Sequence, residues 1–155
     1  MRVLSKLTIF SMYLPLAFSI SADGYNRSDF VYLGYKPSTS LGFYTAKYCD
    51  FMTVDHVVSL RDAYESGAFS WNASEKKTFA NDRSNHVPSC GRVNSSKGSA
   101  RPVDFLRRSD DGKGLDYEIV RFCKYVKKYY AVKIKYSLSL ANNDQTIFAD
   151  CGVSI

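Results

Sequence analysis

The 155-residue chain holds only two histidines, four prolines, one tryptophan and four cysteines. No two cysteines form a C-x-x-C pair, which argues against a zinc ribbon or a thioredoxin-type site. No apolar run reaches the roughly 20 residues that a membrane-spanning helix needs. There is no internal repeat and no linker long enough to divide domains. Hydrophobic residues make up 45% and charged residues 23%, which excludes a disordered tail, a collagen-like repeat and a coiled coil. The length fits one domain.

Aromatic side chains, in contrast, are plentiful: 12 Tyr, 10 Phe and the single Trp make 15% of the chain. That suits a small domain that must bury much area per residue. Lysine and arginine exceed aspartate and glutamate by 21 to 15, a formal charge of +6, which points to an anionic partner.

The first residues have the layout of a secretory signal peptide. Arg2 and Lys6 form a positive start, Leu7 to Phe18 is apolar, and small residues (Ser19, Ser21, Ala22) precede Asp23. The expected division is a signal peptide over 1–22 and a single domain over 23–155. Residues 1–22 carry two positive charges and no acid, so their loss takes +6 to +4. The mature protein is expected to be secreted or periplasmic, with no stable membrane association after cleavage. Export makes Cys49, Cys90, Cys123 and Cys151 two disulfides, with three connectivities open.

Residues 23–48, rich in Tyr, Gly and Ser, read as turns and short extended pieces. Met52 to Leu60 reads as a strand, Asp62 to Gly67 as a short helix or turn, and Ala80 to Pro88 as a polar loop entering a second short strand. Residues 116–136 fit a helix, with Ile119, Cys123, Val126 and Tyr130 as the inward stripe and Lys124, Lys127 and Lys128 facing solvent. Val132 to Leu140 also alternates like a strand. Asn142-Asn143 is expected to cap a last helix ending near Ala149.

The uncommon polar residues gather between 49 and 110. His56 follows Asp55 in an apolar strand, and adjacent strand residues point to opposite faces. Downstream come Asn81-Asp82, Asn85 and Asn94, and a carboxylate with an amide oxygen is a hard-oxygen donor set suited to Mg²⁺ or Mn²⁺. An imidazole nearby deprotonates water near neutral pH.

Asp55-His56-Val57-Val58, then Phe79-Ala80-Asn81-Asp82-Arg83-Ser84-Asn85, then Asn94-Ser95-Ser96-Lys97-Gly98 resemble the HNH endonuclease superfamily. Ser66-Gly67-Ala68 with Trp71 match a further block, and Tyr25 to Phe30 are similar to an early segment of secreted members. The match is good over 49–108 and looser over 25–48 and 116–140. It implies an α+β fold: a ββα-metal, HNH-like core with flanking helices, stapled by two disulfides. It implies one divalent ion, Mg²⁺ or Mn²⁺, held by Asp55 and Asn94. His56 would be the general base, Asn85 the brace of its loop, and Lys97 a phosphate contact. Arg61, Arg107 and Arg108 are further candidate DNA contacts. Two positions depart from the pattern: Ser59 stands where proline is usual, and His86 stands where an apolar residue is usual and reads as a loop or structural histidine.

Asn81 and Asp82 read as loop residues bonding the backbone, and Trp71 and Phe79 as core. The basic side of the 116–136 helix reads as a solvated face, so little sequence specificity is expected. In a ββα core Cys49 and Cys90 flank the same hairpin. Cys123 lies on the helix stripe and Cys151 follows the last helix, so the expected pairs are Cys49–Cys90 and Cys123–Cys151.

The implied activity is hydrolysis of DNA phosphodiester bonds by a secreted, non-specific endonuclease, with RNA as an open substrate and no protein partner evident. Two alternatives stand beside it: a non-catalytic extracellular DNA-binding protein on the same fold, and a toxin-like effector nuclease.

Overall fold

A computed structural model of the chain describes residues 24–109 and 117–155. The expected signal peptide over 1–22 and the first residue of the expected long helix lie outside the described residues.

Two short strands, β1 (Met52–His56) and β2 (His86–Cys90), pair antiparallel, with Asp55 opposite Val87 and His56 opposite His86. β1 is shorter than the expected 52–60 because Ser59 starts a helix. Its hydroxyl accepts from the Asp62 N–H, and α1 runs over Leu60–Glu65, not over 62–67. The segment between the strands also holds α2 (Ala73–Asn81), so Ala80 and Asn81, expected in a polar loop, close a helix instead. A capping box opens it: the Asn72 side chain accepts from the Glu75 N–H, and Glu75 accepts from the Asn72 N–H. A single 3₁₀ turn, Arg83–Asn85, then delivers the chain to β2.

Directly after β2 comes α3 (Gly91–Lys97), which packs on both strands. It ends at Gly98, whose φ of +52° L side chains rarely adopt. The order strand, strand, helix is thus present in an α+β chain. Further out are α4 (Pro102–Arg108), opened by Pro102, α5 (Phe122–Lys135) and α6 (Thr146–Asp150).

The long helix is α5, but its buried face is Tyr125, Val126, Tyr129, Val132 and Lys133. The expected stripe through Cys123 and Tyr130 is rotated: Cys123 is exposed and Tyr130 only half-buried. Aromatic area set the phase, because Tyr125 meets Tyr44, Phe105 and Tyr129 edge-on, with centroids at 5.3, 5.7 and 6.0 Å. Lys124 and Lys127 face solvent and Lys128 is half-buried. Val132 to Lys135 remain helical. The last helix starts later than expected, at Thr146, with its N–H and hydroxyl both donating to Asp144 rather than to Asn142 or Asn143. Phe79 belongs to the core, and Trp71 packs half-buried against it.

Disulfides join Cys49 to Cys90 and Cys123 to Cys151, the expected pairs. The first ties the chain before β1 to the end of β2, and the second ties α5 to the end of α6. Among the described residues no helix is long and apolar enough to cross a membrane.

Candidate functional site

The site lies where β1 faces α3 on one side and the end of α2 on the other. Strand alternation sends Asp55 toward α3 and His56 toward Ala80, as the adjacent positions require.

On the α3 side, Asp55 is buried and fully engaged. Lys97 Nζ donates to its Oδ2 at 3.0 Å and to Oδ1 at 3.3 Å, and the Tyr44 hydroxyl donates to Oδ2 at 2.5 Å. Lys97 also donates to the His56 carbonyl at 2.9 Å. Burial, and then the Asp55 charge, hold the Tyr44 phenol well above its usual range, so it stays a donor. Lys97 is wholly buried. The expectation that it contacts phosphate is therefore corrected: its ammonium neutralises Asp55, because neither ion can lie in the interior unpaired.

On the other side, the His56 Nε2 donates to the Ala80 carbonyl at 2.8 Å. That bond requires the proton on Nε2 and leaves Nδ1 with the lone pair. Burial is the main force pushing the imidazole down to about 4, so the ring is neutral near pH 7. His86, directly across the hairpin, donates its own Nε2 to the same carbonyl at 3.0 Å, with the two rings 4.6 Å apart. It is buried at the head of β2, not in a loop. Its Nδ1 and the Tyr32 hydroxyl are buried atoms with no partner among the described residues. Tyr32 stands edge-on to both imidazoles, at 4.9 and 5.4 Å. The fully buried Asn85 accepts from the Val58 N–H at 2.8 Å and donates to the Val58 carbonyl at 3.0 Å, which fixes the turn after His56.

Asn94 donates to Thr53 Oγ1 at 2.9 Å and to the Val54 carbonyl at 3.3 Å, tying α3 to β1. Asn81 bonds backbone as expected, to Leu33, Val31 and Lys77. Asp82 caps the turn before β2 and meets Lys135 and Tyr136, which with the Ser84 bonds outweigh its burial and hold its carboxyl below the usual range.

Arg108 lies against the end of α3, donating to the Ser96 and Lys97 carbonyls. Arg61 and Arg107 are elsewhere, exposed and paired with Glu65 and Asp104 in their own helices. The fold thus brings Asp55, Asn94, Lys97 and Arg108 to the β1–α3 junction, while His56 lies across the strand and Arg61 and Arg107 stand apart.

The resemblance implies a divalent ion on Asp55 and Asn94. The donors as arranged do not fit one. Both Asp55 oxygens accept from Lys97, Tyr44 takes a further site on Oδ2, and a second cation beside the ammonium would be repelled. Among the described residues no three His, Cys, Asp or Glu side chains converge. Three contributors were missed in the sequence: Tyr44, Tyr32 and the Ala80 carbonyl. None carries a local signal, since each reaches the site only through tertiary packing.

Over 95 residues the chain is 32% identical to an uncharacterized secreted protein of Arthroderma benhamiae. The matched stretch is 60% of this chain and 42% of that protein, so the chain spans less than half of its relative's length. No family model and no solved structure matches. A secreted relative and two disulfides, which require an oxidising compartment, make this an extracellular protein.

Proposed function

We propose that the protein is an extracellular phosphodiesterase of the HNH type that hydrolyses nucleic acid, DNA before RNA, with His56 as general base. The observation that supports the reading is the His56 ring itself, neutral and pinned by Ala80 so that Nδ1 holds a lone pair. Nδ1 takes a proton from water, the water oxygen bonds to phosphorus, and the P–O3′ bond breaks with its electron pair on O3′, which takes a proton from solvent, leaving a 5′-phosphate and a 3′-hydroxyl. The Ala80 carbonyl orients the ring by accepting from its Nε2, and Asn85 fixes the chain two residues after it. The positive charge of the chain draws the polyanion.

A second reading, binding without hydrolysis, is favoured by one observation: Lys97 and Tyr44 occupy the Asp55 carboxylate that a divalent ion would need. Plasmid degradation in Mg²⁺, in Mn²⁺ and in chelator separates the two. Cleavage that falls by roughly 10²–10⁴-fold in His56→Ala, with the fold intact by circular dichroism, supports the first. An intact plasmid under all three conditions, with salt-sensitive binding retained, rejects hydrolysis and leaves the second.

A further inference from the structure

Beside the Cys49–Cys90 disulfide lies an open cleft of about 750 Å³ whose walls include Tyr48, Phe51, Arg92, Asn94 and Arg108. Phe51 is 71% exposed and Tyr48 82%. A single exposed aromatic is ordinary on a protein surface. The Phe51 ring, however, lies on Gly91 so closely that a Cβ there would come within 2.6 Å of its Cδ1. The Gly91 N–H also donates to the Phe51 carbonyl at 2.9 Å. Glycine at 91 thus gives the ring a flat backbone seat. The adjoining disulfide holds the segment bearing both aromatics to the end of β2.

Cations stand around this platform. Arg108 is clamped by two donations from one of its terminal nitrogens to the α3 carbonyls, which leaves donors on its guanidinium uncommitted. Arg92 is exposed and makes no ion pair among the described residues. Asp50 is the one acid in the lining, so the two arginines leave the cleft net positive. Flat aromatic faces beside one held and one exposed arginine match the alternation of base and phosphate along a strand whose bases are unpaired.

We propose that this cleft is a stacking site for an unpaired nucleotide of a single-stranded nucleic acid, with Phe51 and Tyr48 against the base and Arg92 and Arg108 on the flanking phosphates. The proposal rests on the nucleic-acid reading above but not on hydrolysis. Duplex DNA keeps its base faces inside the stack and offers the platform nothing but backbone. Stacking is tolerant of sequence, so discrimination is between strand forms rather than between bases.

Fluorescence anisotropy, with the length of the probe checked on a denaturing gel after each titration, tests it with a labelled oligothymidylate, the matching oligouridylate and a duplex of equal length. Both single strands bind more tightly than the duplex. Phe51→Ala weakens single-strand binding about tenfold, the size of one lost base–aromatic stack, and Phe51→Trp restores it. Arg92→Ala lowers the slope of log affinity against log salt by about 0.7, one phosphate contact on a single strand. Unchanged binding by Phe51→Ala, or equal affinity for duplex and single strand, overturns the cleft whether or not the protein cleaves. Loss of cleavage with the Phe51 effect intact removes only the hydrolytic reading.

Discussion

The molecule buries two carboxylates in nearly the same chemistry but in different surroundings. Asp55 receives Lys97 and Tyr44; Asp62, on α1, receives Lys133 and the Tyr129 hydroxyl, the latter at 2.7 Å. Both lysines are wholly buried, and Tyr125 stands between the two clusters, its phenol pushed up by burial and then by both carboxylates. The Asp62 cluster is the larger. Arg101 adds a second cation at 3.1 Å and reaches Glu65 at 2.8 Å, while Lys133 also bonds Ser66 and the Ser139 carbonyl. It thereby ties α1, the start of α4 and α5 together. Asp55 has fewer partners, but its neighbours in the chain and on α3 are His56 and Asn94. A buried Asp–Lys–Tyr cluster is therefore not in itself a mark of chemistry. The distinction lies in what surrounds it: an imidazole with a free lone pair and a cleft on one side, only structural partners on the other.

The largest expected effect comes from breaking the structural cluster. Asp62→Ala leaves Lys133 and Arg101 without their carboxylate and destabilises by about 3–5 kcal/mol, read as a lower urea midpoint. At Asp55 the outcome differs, because its single cation can be removed with it. The double variant Asp55→Leu/Lys97→Met recovers most of the stability that Lys97→Met alone loses. The matching double at Asp62 and Lys133 does not recover, since Arg101 and Glu65 remain. Equal recovery at both sites would erase the contrast.

A smaller effect comes from pH and belongs to the Asp55 side. Burial, helped by the neighbouring charges of His86, Lys97 and Arg27, lowers His56 from 6.5 to about 4 against the opposing bond to Ala80. Between those values the unfolded chain binds the proton more readily than the folded one. The stability His56 contributes is thus complete above 6.5 and is lost as pH falls toward 4, by at most about 3 kcal/mol. His86 is shifted in the same direction by burial and adds to the slope. Urea midpoints across this window should flatten in His56→Gln; an unchanged slope would show that the imidazole is not the group responding.

The smallest effect compares the two phenols. Tyr44→Phe and Tyr129→Phe each delete one hydrogen bond to a carboxylate and cost about 1.5–3 kcal/mol. The loss at Tyr44 should be the larger, because Asp55 keeps only Lys97 whereas Asp62 keeps Lys133 and Arg101. Thermal unfolding of the two variants side by side checks the order.

Much of the hairpin was legible. β-branched residues around Asp55-His56 marked β1, and Ser59 carried the information that ended it, since a serine before Leu60 is a helix cap as readily as a strand residue. The capping box Asn72-x-x-Glu75 was equally visible and α2 follows from it. The phase of α5 was not. Two stripes one position apart are both apolar there, and the choice fell to the one whose tyrosines meet Tyr44 and Phe105. Lys97 and Lys133 read as surface residues because lysine is almost never fully buried without a partner, and their partners lie 42 and 71 residues away.

The two strands, the long helix and the proximity of Asp55 to His56 follow from the chain alone, because each rests on periodicity or chain adjacency, whereas the disulfide pairing among three connectivities needed the ββα core that the resemblance implies. Only the tertiary structure decided that Lys97 closes on Asp55, that Ala80 sets the His56 tautomer and that Gly91 seats the Phe51 ring. Those outcomes depend on which distant group reaches a charge, a ring nitrogen or an aromatic face, and local sequence holds no record of such distances.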